Sequence, residues 1–377
     1  MPIEPPPPST RAVATGLERL VDDFRRYREL TQGRNTAYAR ALDLLEDLLF
    51  GARADLGALD RVERSWSARS FDAYYERPLL LLAALRFEAL SDTGHPLARG
   101  FATQAPDVST ITREALADAL GAHRLGIWVT LRSRRVQTNE VSRALVWRWP
   151  VELLGLGSGA RPLALVDIGA SGGLNLVADR LEQSWTDGRG RSIPIARSPK
   201  IVTRQGYDTH PMDVLNAEDI AWAEACLWPG EPTRSEVLTT AVRAFRELAA
   251  TTERVELHCE PATVVPRRMV RLARTLPEDT VFFAYQSLLR DYLGPHKRAQ
   301  FVSAMHEWLT HRPAKTAFWA ELELADRSGE MPAEIVVHAA TGGGFQSFSL
   351  GRCTYHPSSV EVQPGAAELA RALRIGR

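Results

Sequence analysis

The sequence has few features of a secreted or membrane-inserted protein. Only three cysteines occur in 377 residues, and their odd number and wide spacing argue against a disulfide framework. No apolar run reaches the ~18 residues that a membrane span needs. The start, Met1 to Pro8, lacks the charged and apolar blocks of a signal peptide. We therefore expect a cytoplasmic protein with reduced thiols and no membrane partner.

The sequence also has no excess of positive or negative charge. Lysine and arginine together number 46, and so do aspartate and glutamate. A balanced chain has no general attraction to nucleic acid, so we expect a small-molecule substrate and no nucleic-acid partner. Neither HExxH nor a paired CxxC occurs, and we therefore expect no metal site. The composition leaves the oligomeric state open.

The length and the hydrophobic pattern together predict two domains, since ~150 residues is a typical domain size. Residues 1–10 are typical of a disordered proline-rich tail. Residues 11–158 show apolar positions at helical spacing, which predicts a domain of roughly five to seven helices. Residues 159–377 alternate strand-like and helix-like segments and close with an antiparallel pair. That order predicts an α/β, doubly wound, Rossmann-like domain of the class I methyltransferase type.

A glycine-rich turn follows the first predicted strand, Leu163 to Ile168. Its small residues leave the backbone bare, so that a ligand can approach closely. A helix starting near Gly172 would direct free N–H groups at that ligand. The candidate cofactor-binding residues of this segment are Asp167, Gly169, Ser171, Gly172, Gly173 and Asn175.

Three interpretations of the turn remain open. The spacing Asp-x-Gly-x-Ser-x-Gly resembles motif I of class I methyltransferases that use S-adenosylmethionine, with Ser171 in place of the middle glycine. Gly-x-Ser-x-Gly also fits the nucleophile elbow of a hydrolase, for which Asp291 and His338 are conceivable partners of Ser171. A tight turn without ligand is the third interpretation. The fold also permits a non-catalytic cofactor-binding or scaffold protein.

Later strand ends supply further candidates, because doubly wound folds carry their chemistry at the carboxyl ends of strands. We expect Asp208 to bind the ribose hydroxyls of the cofactor, with a turn initiated by Asp208 before Pro211 as the alternative, and we expect Glu260 to lie near the adenine. Tyr285 and Gln286 are the candidate catalytic residues facing the methyl acceptor.

A polar segment before the turn is the candidate substrate-binding region. We expect a helix cap at Thr138 or Asn139, with the cluster at the mouth of the cofactor site and the helical domain forming its lid. A solvated helix face is the alternative. The candidate residues are Arg135, Gln137, Thr138, Asn139 and Glu140.

Four segments together resemble the bacterial domain-of-unknown-function 2332 family over most of the chain from about Phe24. They are Arg135 to Val141, Gly169 to Leu176, Gly206 to Val214 and Leu227 to Pro229. That family resembles S-adenosylmethionine-dependent methyltransferases in its second half. The resemblance therefore implies a methyltransferase-like fold with S-adenosylmethionine as cofactor.

Overall fold

The computed structural model describes residues 16–71, 73–310, 316–326, 329–341 and 344–373. The predicted proline-rich tail lies outside these residues. The chain forms two compact units, one of residues up to 136 together with 224–232, the other of residues 137–223 and 233–377. The first boundary thus falls earlier than the expected one after residue 158, and the chain returns once to the first unit.

The first unit is helical in its described residues, as the apolar spacing predicted. Asn35, Asp55 and Thr112 cap helices by accepting a backbone N–H at each amino end. The helices are α1 (Gly16–Thr31), α2 (Thr36–Phe50), α3 (Leu56–Trp66), α4 (Glu76–Ser91), α5 (Arg113–Ala119) and α6 (Leu125–Ser133).

A buried arginine explains why residues 224–232 belong to this unit. The Arg86 guanidinium on α4 is fully buried and donates to the carbonyls of Phe101 at 3.2 Å and Leu227 at 3.0 Å. It also donates to the Thr103 hydroxyl at 2.8 Å. A buried guanidinium needs such acceptors for its N–H groups. The returning segment supplies one of them to Arg86, through the carbonyl of Leu227.

One nine-stranded sheet organises the described part of the second unit. Its strands are β1 (Leu163–Ile168), β2 (Thr186–Asp187), β3 (Ile201–Asp208), β4 (Val255–Cys259), β5 (Val281–Ser287), β6 (Ala317–Leu324), β7 (Ala333–Thr341), β8 (Gly344–Cys353) and β9 (Ser359–Val362). The order is β2-β9-β8-β7-β6-β5-β1-β3-β4, and β4, β3, β1, β5 and β6 are parallel. The chain winds outward from β1 in one direction and from β5 in the other. Their carboxyl ends therefore form the topological switch point.

Helices cover both faces of the sheet. Trp147 and Trp149 of α7 pack on one face with Phe283, while Met269 of α10 and Phe301 of α11 pack on the other. The second-unit helices are α7 (Leu145–Leu153), α8 (Ala217–Ala225), which crosses into the first unit at its end, α9 (Pro232–Ala249), α10 (Val265–Ala273), α11 (Pro295–Thr310) and α12 (Pro364–Leu373). We expected residues 145–153 in the helical domain, but their tryptophans complete the core of the sheet. None of the described helices has the length and apolar character of a bilayer span.

The sheet confirms an α/β fold with a closing antiparallel pair, β7 and β8. The segment after the glycine turn, Leu174–Arg180, is helical as expected, and the helix is of the 3-10 type. Thr186–Asp187 forms β2, whose partners Ser359 and Val360 lie far along the chain. Local sequence carries no sign of such a pairing.

Candidate active site around the glycine turn

The turn after β1 has the sharp backbone that its small residues predicted. Gly169, Ser171 and Gly173 have φ angles of 84°, 50° and 69°. Glycine adopts such angles readily, whereas a serine does so at a cost. The surrounding contacts must therefore hold Ser171 in this conformation.

The backbone N–H groups of the turn are already bonded within the protein. Gly169 and Ala170 donate to the carbonyl of Tyr207 at 2.8 and 3.1 Å, and Gly173 donates to that of Ala170 at 2.7 Å. The N–H groups of Ser171 and Gly172 donate to side chains. The expected backbone cradle for a ligand is therefore filled by protein acceptors in this conformation.

Asp208 braces the turn from the end of β3. Its Oδ2 accepts the N–H of Ser171 at 3.0 Å, and its Oδ1 accepts the N–H of His210 at 2.8 Å. This carboxylate explains how Ser171 is held at a positive φ. Each oxygen keeps a second lone pair, so binding of ribose hydroxyls stays a prediction.

Residues 137–140 have no regular secondary structure and lead into a 3-10 helix; we call them the strap. Gln137 donates to the carbonyl of His210 at 2.6 Å. The Asn139 Oδ1 accepts the N–H of Gly172 at 3.0 Å, and its amide nitrogen lies 3.7 Å from the Met212 sulfur. The strap thus joins the glycine turn to the loop after β3.

The sequence placed a helix cap at Thr138 or Asn139, and this was wrong by one or two residues. Glu140 is the cap, of a 3-10 helix at Val141–Ala144, and it accepts the N–H of Ser142. The reason is that Asn139 uses its side-chain oxygen on the glycine turn instead. Arg135 belongs to the first unit, whereas the strap belongs to the second.

Side chains from other segments pack closely against the glycines of the turn. A Cβ placed on Gly172 would lie 2.7 Å from the Met212 Cε and 3.0 Å from both Asn139 Oδ1 and Val214. One placed on Gly169 would lie 3.0 Å from Leu289. The bare backbone here serves close packing of the protein on itself.

Glu140 is the charged centre of the strap. Its Oε2 is 2.8 Å from the Arg234 guanidinium and 2.8 Å from the His356 Nδ1, and its Oε1 accepts the Ser142 hydroxyl at 2.7 Å. Burial alone would raise the pKa of Glu140. The His356 hydrogen bond and the charge of Arg234 outweigh burial and hold this pKa well below its usual value. The carboxylate therefore stays ionised and anchors the strap to residues far along the chain.

Several buried polar atoms near the turn lack a hydrogen bond of ordinary geometry. Burial raises the pKa of Asp167 to about 7, and the neighbouring Tyr285 lowers it only in part. Buried polar atoms usually have partners, so a group of them beside one turn is unusual. Within the described residues, Ser171 Oγ and Asn175 Oδ1 have no partner, and Asp167 Oδ2 and Tyr285 Oη have none besides each other.

The remaining candidates lie apart from one another. Glu260 forms an ion pair with Arg268 of α10, so its role near adenine stays a prediction. Tyr285 lies opposite Asp167 in the register of β5 and β1, in the core under α7. Gln286 points to the other face, because neighbouring strand residues alternate. The two cannot both face one acceptor as expected, and both are fully buried.

Gln286 belongs to a buried polar cluster that sequence reasoning missed. It donates to Glu323 at 2.8 Å, and Glu323 also accepts the N–H groups of Leu289 at 3.0 Å and Arg290 at 3.1 Å. Burial raises the pKa of Glu323 to about 7. Two acids two residues apart in an apolar strand, Glu321 and Glu323, were the signal for this cluster.

The two residues named as conceivable partners of Ser171 in a hydrolase make their hydrogen bonds and ion pairs elsewhere. The His338 ring bonds to Ser347 and Glu321, and the Ser171 hydroxyl has no hydrogen-bond partner in the described chain. Asp291 lies 3.9 Å from Arg298. A hydrolase at Ser171 needs a general base at this hydroxyl, so this alternative stays a prediction. The described residues contain no cluster of three or more potential metal ligands.

The comparison with protein families agrees with the motifs that form this site. Residues 28–362 match a family described as an uncharacterized protein conserved in bacteria, DUF2332. The chain belongs to the DUF2332 family. The match includes the strap, the glycine turn and the loop after β3 of this DUF2332 chain. No curated protein matches it.

Proposed function

We propose that the protein is a methyltransferase that uses S-adenosylmethionine and acts on a small molecule. The observation that carries the proposal is Asp167. This carboxyl is only 3% exposed and ends β1 beside the topological switch point, and among the described residues its Oδ2 has no partner besides the Tyr285 hydroxyl. A buried carboxyl without a cationic partner in the described chain suits a cationic ligand group, and the cofactor carries an ammonium and a sulfonium.

The neighbouring polar atoms support the same ligand. The Asn175 amide oxygen accepts hydrogen bonds, and the Ser171 and Tyr285 hydroxyls both donate and accept them. We propose that Asp167 and Asn175 hold the amino-acid part of the cofactor, with Ser171 beside them. When bound, the cofactor supplies an electrophilic methyl group. The residues of this chain contribute position and orientation, which account for much of the rate in such transfers.

Because the backbone N–H groups of the turn already have acceptors within the protein, they limit how a ligand can bind there. The N–H groups from Gly169 to Gly173 have protein acceptors, and Met212 and Asn139 cover Gly172. The side-chain oxygens, and not the backbone N–H groups of the turn, are therefore the groups that would bind the cofactor. We infer that the strap moves from Gly172 when the ligand binds, which predicts faster hydrogen exchange at that N–H in the ligand-bound protein.

Ligand binding by calorimetry and thermal unfolding tests the proposal. We expect S-adenosylmethionine and its demethylated product to raise the melting temperature, and Asp167→Asn to abolish most of the shift. Glu323→Gln is the matched control, because Glu323 is also a buried carboxyl with a pKa raised to about 7 but bonds to Gln286 instead.

Two outcomes would change the conclusion. An absent shift at saturating ligand, or an equal shift in Asp167→Asn and the wild type, would refute the proposed site. Binding without methyl transfer to a broad panel of acceptors would instead indicate a non-catalytic cofactor-binding protein.

A further inference from the structure

A row of side chains crosses the antiparallel part of the sheet on one face. Trp319 of β6 is the register partner of His338 in β7, and His338 is the partner of Ser347 in β8. Cross-strand partners point to the same face. Glu321, two residues after Trp319, lies on that face as well, so the pairing of three strands brings a serine, a histidine and a glutamate together.

His338 links the other two through its two ring nitrogens. The Ser347 Oγ is 2.7 Å from the His338 Nδ1, and the His338 Nε2 is 3.2 Å from the Glu321 Oε1. An ionised carboxylate only accepts hydrogen bonds, so Nε2 carries the hydrogen. Nδ1 is then the acceptor for the serine hydroxyl, which is the tautomer that a general base requires.

The environment holds the glutamate and leaves the serine accessible. Arg290 donates to both oxygens of Glu321, at 2.8 and 2.5 Å. Glu321 and His338 are 5% and 7% exposed, whereas Ser347 is exposed. A reagent can therefore reach the hydroxyl while water is largely kept from the two groups behind it.

We propose that Ser347 is the nucleophile of a second site that cleaves small esters, with His338 as its general base and Glu321 as the positioning residue. Phe345 lies two residues before Ser347 on the same strand, is 39% exposed and stacks on His306 with ring centroids 4.1 Å apart. This aromatic surface suits an apolar acyl group. The substrate class is thus a small ester with an apolar acyl chain.

The reaction balances without any added oxidant or cofactor. The Ser347 oxygen attacks the ester carbonyl while its proton passes to the His338 Nδ1. The carbon–oxygen bond to the leaving alcohol then breaks, and that alcohol takes the proton from His338. Water attacks the acyl-serine with His338 again taking a proton, which returns to Ser347 as the acid leaves. The products are one acid and one alcohol.

Labelling with a fluorophosphonate probe tests this site, and it does not depend on the proposed methyltransferase site. We expect the probe to modify Ser347, as read by peptide mass spectrometry, and Ser347→Ala to lose the label. Ser349→Ala is the matched control, since Ser349 lies on the same strand but hydrogen-bonds to Glu334. Labelling in Ser171→Ala should equal that in the wild type.

Kinetics distinguish a base from a merely structural histidine. With a p-nitrophenyl ester, His338→Gln should slow acylation by about 10²–10⁴-fold. Glu321→Gln should shift the pH profile of acylation to lower pH, because the imidazolium loses its anionic neighbour. Absence of label at Ser347, retention of label in Ser347→Ala, or an acylation rate in folded His338→Gln within about two-fold of wild type would each overturn the proposal.

Discussion

The amide oxygen of Asn139 accepts the backbone N–H of Gly172 at 3.0 Å, so the strap completes the glycine turn. A turn of this kind must satisfy each of its buried N–H groups. The strap is thus a structural part of the turn as well as a candidate substrate-binding segment. Its stability and its ligand binding are expected to be coupled.

Removing this bond should destabilise the protein. Asn139→Ala leaves the Gly172 N–H without its acceptor, and we expect the free energy of unfolding to fall by about 1–3 kcal/mol. Urea unfolding measures the change. The neighbouring Thr138→Ala is the control, and equal losses in the two variants would contradict this role of Asn139.

Alanine substitutions at Gly172 and Gly173 should lower the melting temperature by different amounts. Gly173 has a φ of 69°, and a Cβ there would lie 2.9 Å from Leu257. A left-handed backbone costs an alanine about 1–2 kcal/mol before any clash. Gly172 has no such angle, and its closest contact is the flexible end of Met212. We expect Gly173→Ala to lower the melting temperature more than Gly172→Ala does, and the reverse order would be evidence against this turn geometry.

Asp167 should make stability depend on pH. Its pKa is raised from 3.8 to about 7 in the folded protein. Between these values the unfolded chain loses a proton that the folded chain keeps, so stability falls as pH rises from about 4 to 7. The pKa difference corresponds to at most about 4 kcal/mol. Asp167→Asn should therefore be more stabilising at pH 8 than at pH 4 in urea unfolding, and a pH-independent effect would contradict the raised pKa.

The same carboxyl should couple ligand binding to proton release. A cation beside Asp167 favours its ionised form and lowers its pKa. The affinity for S-adenosylmethionine is then expected to rise as pH increases from about 6 to 8. Calorimetry in two buffers of different ionisation enthalpy measures the protons released. Release that persists unchanged in Asp167→Asn would assign it to another group.

Glu140 should contribute stability in the opposite pH direction. Its folded pKa lies well below the ordinary 4.5, so its contribution is present above about pH 4.5 and is lost as pH falls toward the folded pKa. Glu140→Gln should cost about 3–5 kcal/mol at pH 7, because Arg234 and His356 lose their anion, and less near pH 3.

The exposed pair of Glu253 and Arg180 provides the comparison for Glu140. Their side chains are 50% and 49% exposed, and Glu253→Gln should change the free energy of unfolding by less than about 1 kcal/mol. A similar loss in both variants would show that burial of Glu140 is unimportant.

The local sequence pattern predicted much of the candidate site. Small residues after an apolar strand predicted the turn, and the polar run before residue 141 marked the strap. The sequence could not show that Asn139 and Asp208 bond to the turn itself, since they lie 33 and 37 residues from their partners. Such pairings depend on which strands become neighbours.

The amino-acid order by itself determined the α/β class, the helical first part and the position of the turn, because these depend on periodicity and on backbone freedom over a few residues. Only the tertiary structure decided that Tyr285 and Gln286 face opposite sides and that His338 belongs to Ser347 rather than Ser171. The physical reason is that strand register and sheet order select the neighbours of each side chain, and residues distant in the chain set both.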